Sequence, residues 1–190
     1  MADIALFISE QYIKDNSPIN GNVDDKYITS TIYLVQKLYI KKILGTALYN
    51  ELNTEINAGG VSANNVTLLD DYLQDVLLYY VLAEGIALFT YKIENKSVVK
   101  KTSENSSPID SEEVAMLRDM YKDKAEYFAQ QCTNFLCANA TDSVYNAYLN
   151  PGSTYDTIVP NKNNYKSVWA LDDTNDYPKN IDIDYGRNNY

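Results

Sequence analysis

The chain has 190 residues, 26 Asp and Glu against 16 Lys and Arg, a formal net charge of −10 and a hydrophobic content of 45%. That length suits one domain with a tail, and that balance of apolar and charged residues belongs to a folded chain. The acidic excess argues against a groove built to hold nucleic-acid phosphates and against a polybasic membrane patch. The absence of His removes the commonest general acid–base group, every Ser–His or Cys–His triad and every His-containing metal site.

The first ten residues carry an early acid, Asp3, and no basic region, which does not read as a signal peptide. Leu6-Phe7-Ile8 is predicted extended, with Ser9 capping a brief helix through Ile13. A dense run of turn formers follows from Asn16 to Asn22. Asp24 or its neighbour then caps a long helix whose apolar stripe is Ile28, Ile32, Val35, Tyr39 and Ile43, widened by Leu34 and Leu38. Lys37, Lys41 and Lys42 near its end suit the helix dipole, and Gly45 stops it.

Thr46 is predicted to cap a second helix to about Asn57, with Leu48, Leu52 and Ile56 on one face, before the stop at Ala58-Gly59-Gly60. Thr67 is predicted to cap a third, from Leu68 to about Ile93. Its middle, Val76 to Ala83, is apolar all round, as befits the buried central member of a bundle. That run is far short of the ~20 residues a membrane span requires. The polar stretch from Glu94 to Ser107 is long for a loop in a compact domain, so it is disordered, functional or a hairpin around Val98-Val99. Pro108 and Asp110 open a fourth helix with the stripe Val114, Leu117, Tyr121, Ala125, Phe128, Cys132 and Phe135, and Thr141 or Asp142 caps a short turn through Tyr148. Cys132 and Cys137, about 140° apart around a helix axis, are expected to stay unbridged.

The pattern changes at Pro151. Residues 151–190 hold five Tyr, seven Asn, six Asp and one Leu, with no helical or strand period. The expected organisation is an all-α helical bundle over 1–150 with about four main helices, followed by an extended, irregular arm over 151–190. Apolar and aromatic residues spaced along the arm mark it as a segment that orders on a partner. The candidate partner-binding residues are Tyr155, Ile158, Val168, Trp169, Leu171, Tyr177, Ile181 and Tyr185. The chain's 18 Tyr against four Phe and one Trp fit either surfaces that become half-buried on assembly or compositional drift in an AT-rich genome.

No catalytic constellation emerges. Asp24-Asp25, Asp70-Asp71 and Glu112-Glu113 are each expected in a first helical turn, where acids favour the dipole. Asp172 to Asp176 imitates a calcium loop, but the sixth position is Tyr177 and the twelfth Ile183, where Gly and Glu are required. There is no phosphate-binding glycine loop, no C-x-x-C and no internal repeat. The expectation is a non-enzyme without metal or cofactor.

Pro18-Ile19-Asn20-Gly21-Asn22-Val23-Asp24-Asp25-Lys26-Tyr27-Ile28, then Gln36, Tyr39-Ile40 and Ile43-Leu44-Gly45-Thr46-Ala47-Leu48-Tyr49, resembles the N-terminal signature of small bacteriophage head–tail connector (adaptor, or ring) proteins. The version it most resembles is that of phages of Bacteroidales hosts, including crAss-like phages, over about residues 8–150. The resemblance implies an all-helical protomer in a closed homo-oligomeric ring, typically twelvefold, in the virion neck. Such a ring stacks on the portal protein, meets other neck or tail proteins and extends the DNA channel, with no enzymatic activity. It also implies synthesis in the host cytoplasm and no membrane partner. An acidic wall would let DNA pass without binding. Two other readings compete: a monomeric helical interaction module of a virus or host, and a metal-dependent enzyme using paired carboxylates.

Overall fold

The structure is a computed structural model that describes residues 5–19, 21, 23–94, 97–100, 111–152, 157–160 and 162. Its core is an all-α bundle. Residues 5–8 form a lead-in, with Ala5, Phe7 and Ile8 buried. Ser9 caps α1 (Glu10–Asp15), its hydroxyl accepting from the Tyr12 N–H at 3.1 Å. Asp24 caps α2 (Asp25–Val35) by accepting from the Lys26 N–H. Lys14 pairs with Asp25 at 2.5 Å and ties the two helices together.

Helix α2 runs through a wider π turn, Gln36–Ile40, into α3 (Lys41–Ala58). The Gln36 amide is fully buried there, donating to the Ala5 carbonyl at 2.9 Å and accepting from the Phe7 N–H at 3.0 Å. The predicted widening of the α2 stripe therefore falls on the other side. Thr31 and Gln36 are buried, while Leu34 and Leu38 stand 42% and 52% exposed. The two polar side chains can go inward because the Tyr27 carbonyl and the lead-in backbone accept or donate every bond they need.

Inside α3, Gly45 has φ 77° and ψ 166°, a break that separates a helical run over 25–44 from one over 46–58. The second run buries Leu48, Tyr49 and Leu52 and ends on Gly59, whose left-handed backbone donates to the last carbonyls at Glu55 and Ile56.

The next helix starts earlier than expected. α4 (Ala63–Leu68), a second π turn (Leu69–Leu73) and α5 (Gln74–Thr90) are continuous, so Thr67 lies within the helix rather than at its cap. The reason is a long-range cap. Glu55, from α3, accepts from the Ser62 N–H at 3.1 Å and, with Glu51, from the buried Asn65 amide. Asp70 and Asp71 consequently lie mid-helix, not in a first turn. α5 is the central element: Val76, Leu77, Leu78, Tyr80, Val81, Leu82 and Ala83 are all buried, and it packs against α2 and α6.

A short antiparallel hairpin follows, β1 (Tyr91–Glu94) and β2 (Ser97–Lys100), with Ile93 opposite Val98. Pro108 and Asp110 lie outside the described residues. α6 (Ser111–Asn139) buries Val114, Ala125, Cys132 and Leu136, while Leu117, Tyr121, Phe128 and Phe135 of the predicted stripe are half-buried. Thr141 organises a turn by accepting from the Val144 N–H, and α7 (Asn146–Leu149) starts after Tyr145, which sits at φ 53°. The Tyr145 hydroxyl bonds the Asn64 carbonyl at 2.6 Å, and Tyr148 is fully buried.

Much of the tyrosine is used inside this bundle. Tyr39 stacks on Tyr80 and Tyr72 on Phe135, each at 4.0 Å between centroids, and Tyr79 stacks on Phe128 at 5.3 Å. These rings join the first π turn to α5, and the second π turn and α5 to α6. Cys132 and Cys137 are free. Burial pushes the Cys132 thiol up to about 12, so it stays protonated and inert.

Candidate interaction surfaces

The break at Gly45 is a seat for the segment that follows the bundle. The Ile158 carbonyl accepts from the Thr46 N–H at 2.9 Å, and the Thr46 hydroxyl accepts from the Ile158 N–H at 2.8 Å. Pro160 is buried over Gly45. A Cβ on that glycine would lie 2.6 Å from Pro160 Cδ and 3.0 Å from the Ile158 carbonyl oxygen. Thr46 thus turns its hydroxyl to the returning chain. Sequence reasoning finds Gly45 as a helix stop but misses its partner, because nothing local in 41–50 points to Pro160.

Of the eight candidate arm residues, Ile158 is described; Tyr155, Val168, Trp169, Leu171, Tyr177, Ile181 and Tyr185 lie outside the described residues. Ile158 is held by its backbone on its own chain, with its side chain 39% exposed beside the more open Val159. Lys162 carries the chain past this point, its ammonium 5.4 Å from the Tyr148 ring centroid. The arm is therefore anchored at 157–160, and the residues beyond it start from the Gly45 junction.

A cleft of about 400 Å³ opens between the start of α3 and α6, lined by Lys42, Ile43, Tyr80, Glu126 and Ala129. Burial, and secondarily the charge of Glu126, push the Tyr80 hydroxyl up to about 12, so it carries its proton at neutral pH. Nearby, the Tyr39 hydroxyl donates to Glu84 at 2.6 Å and is likewise raised to about 12, first by burial and then by that bond. Tyr39 acts as a packing group with a satisfied polar tip, stacked on the Tyr80 ring. Of the acidic pairs, Asp24 caps α2, Asp25 pairs with Lys14, and Asp70 accepts from Gln74 at 2.9 Å. Among the described residues no three or more Cys, Asp or Glu gather where a metal could be held.

Residues 40–158, more than half of the chain, match the model of a family of unknown function (DUF6712). The chain belongs to that family. Its match begins at the last residue of the first π turn and ends at Ile158, the residue paired with Thr46, so the contact of Ile158 with the Gly45-Thr46 junction lies within the shared region. No curated protein and no solved structure matches the chain.

Among the described residues two groups of large apolar side chains stand exposed, Leu34 and Leu38 on α2 and its π turn and Met116, Met120 and Tyr127 on α6. Neither lines the cleft between α3 and α6. In addition, no described helix is long and apolar enough to cross a membrane.

Proposed function

We propose that this protein is a structural component of a phage virion: a ring-forming head–tail connector that stacks on the portal, extends the DNA channel and gives the tail its platform. The observation that carries this is the Leu44-Gly45-Thr46 junction. The residues that bear the resemblance to connector proteins are also the seat from which the C-terminal segment leaves the bundle. A protomer whose post-bundle chain is fixed at its root and continues past Lys162 presents a segment of known origin to neighbours. The segment from 163 to 190 carries Trp169 and four tyrosines, residue types that dominate interface cores. In this reading the arm lies on an adjacent subunit or on the portal, and the protein acts by assembly, changing no substrate covalently.

Native mass spectrometry and negative-stain microscopy of the purified full chain, alone and with the portal protein, test this. A closed ring, or a ring formed on the portal, is the expected result. A monomer in both mixtures at tens of micromolar overturns the connector reading and leaves a monomeric interaction module.

A further inference from the structure

We infer that the cleft between the start of α3 and α6 is a docking site for this chain's own arm, and that in the unassembled chain it takes the segment Lys166–Asp173. The inference does not depend on the ring reading. In a ring the same segment leaves the cleft to lie on a neighbour.

Tyr80 is the buried member of the cleft lining. It is 6% exposed, its ring lies flat on Tyr39, and Tyr39 is held in turn by Glu84. The Tyr80 hydroxyl has no hydrogen-bond partner among the described residues. No described side-chain oxygen or nitrogen is both enclosed and unpaired, so this hydroxyl opens on the cleft that Tyr80 lines. A buried phenol, fixed by stacking and with an unused polar tip, is a group placed for an incoming partner. Lys42 stands at the rim with no ion-pair partner among the described residues, and Ile43 and Ala129 add apolar wall. The volume of about 400 Å³ lies within the range of about 300–1,000 Å³ that ligand sites occupy.

The arm carries a segment that matches this lining. Beyond Lys162 the chain has one run of four apolar residues, Val168-Trp169-Ala170-Leu171. Asp172 and Asp173 follow it directly, and Lys166 precedes it. The apolar run suits Ile43, Ala129 and the Tyr80 ring. The two aspartates give Lys42 the carboxylate it lacks. Glu126 already has Lys122 at 3.8 Å, so its contact with Lys166 is the weaker of the two charge contacts. Ile181 and Ile183, the other aliphatic residues of the arm's far end, alternate with acids and offer no continuous apolar run.

The root of the arm lies beside both walls. Pro160 sits on Gly45, and Lys42 and Ile43 precede that glycine by three and two residues. Lys162 stands over the Tyr148 ring, and the Tyr148 hydroxyl is 3.5 Å from Cys137 Sγ. Cys137 follows Thr133 of the cleft lining by one helical turn. Lys166 is four residues past Lys162, up to about 13 Å of extended chain. So short a tether holds the segment at roughly millimolar effective concentration, enough for a modest contact to form within one chain. Such a contact opens below the melting of the bundle, because eight residues on one cleft hold less than the shared core does. Removing the arm therefore leaves the Tm of the bundle where it was.

Trp169 is the chain's one tryptophan, so its fluorescence reports the segment directly. In the full chain, diluted until sedimentation shows a single protomer of 21.5 kDa, Trp169 should emit to the blue of the urea-denatured chain and resist acrylamide. Lys42→Glu should shift the docking equilibrium toward the open arm by roughly two- to fivefold. Tyr80→Phe should shift it by roughly two- to tenfold. Both appear as redder emission and faster quenching. Lys42 is exposed and the Tyr80 hydroxyl bonds nothing in the bundle, so circular dichroism and melting should match the parent. Asp172→Lys/Asp173→Lys should open the arm as Lys42→Glu does, and combining the two should restore docking. Should a bundle variant melt early, this arm variant, beyond the bundle, carries the comparison. If Trp169 of the dilute parent is quenched as fast as in urea, or is protected and indifferent to these variants, the cleft does not hold the arm and the inference fails. If protection appears only as copies associate, a neighbour takes the segment: the inference fails and the ring reading stands. If the chain stays monomeric with the portal while Trp169 is protected and responds to the variants, the inference stands and the ring reading falls.

Discussion

Gly45 and Gly59 stop successive helices and look alike in the sequence, yet they are different devices. Gly59 has φ 72° and ψ 20°, in the left-handed helical region, and a Cβ there would meet nothing within 4 Å. It is a local cap, satisfied by two carbonyls of its own helix. Gly45 has φ 77° and ψ 166°, a region that only glycine adopts at ease, and a Cβ there would run into Pro160 and Ile158. One glycine ends a helix; the other ends a helix and makes room for a segment more than a hundred residues away. Local sequence reveals the first role at both positions and the second at neither.

The largest way to sharpen this contrast is substitution at Gly45. Gly45→Ala adds backbone strain of about 1–3 kcal/mol and also evicts Pro160. For a chain of this size each kcal/mol shifts Tm by roughly 2–4 °C, so a drop of several degrees is expected in a thermal melt. Gly45→Asn should be as damaging, since asparagine tolerates the left-handed helical region but not this one. A melt of either variant within a degree of the parent would mean that the seat is not formed in solution.

Truncation tests the same seat from the other side. Removing 163–190 leaves Ile158 and Pro160 in place and should not change Tm. Removing 151–190 deletes two hydrogen bonds to Thr46 and uncovers Gly45. The loss expected is about 1–3 kcal/mol, with the helical signal in circular dichroism retained. Equal melting of the two truncated chains would show that 157–160 contributes nothing to the bundle. The expected difference between the two truncated chains would put the boundary that matters energetically after the seat, near 160, rather than at 150.

How much of the molecule could be read in the sequence follows the same division between local and distant causes. The caps at Ser9 and Asp24, the stops at Gly45 and Gly59, the central burial of Val76 to Ala83 and the α6 stripe were legible because periodicity and cap chemistry act within a few residues. The start at Ala63 was not, because the group that caps it is Glu55 of another helix. Leu34 and Leu38 look like core because they are apolar, and they are exposed because the buried side of α2 is fixed by where the lead-in crosses Gln36. That side could have been suspected from Thr31 and Gln36 alone only by knowing that their polar groups would find partners. The candidate surfaces repeat the pattern. The tyrosine-rich composition reads as assembly surface or compositional drift, whereas stacking inside the bundle accounts for several of the rings. The arm residues stand out in the sequence for being apolar in a polar segment, whereas the described part of the arm binds through backbone at Ile158 and through Pro160, which no hydrophobicity argument selects.

The smallest expected effect is at Gly59, and it is the one that isolates the local role. Gly59→Ala places a Cβ at a left-handed position in open space, so the cost is conformational alone, about 1 kcal/mol. Gly59→Asn should recover most of that, because asparagine's short polar side chain makes the left-handed region accessible. Thermal melting of the pair should therefore show alanine below asparagine, with asparagine close to the parent. The order is what matters. At Gly45 the two substitutions are expected to be equally harmful, and at Gly59 they are expected to separate. If they separate at both positions, Gly45 is an ordinary left-handed cap and the tail is not seated on it. If they are equal at both, the cost at Gly59 comes from a steric neighbour that an open left-handed cap does not have, and the distinction between the two glycines fails.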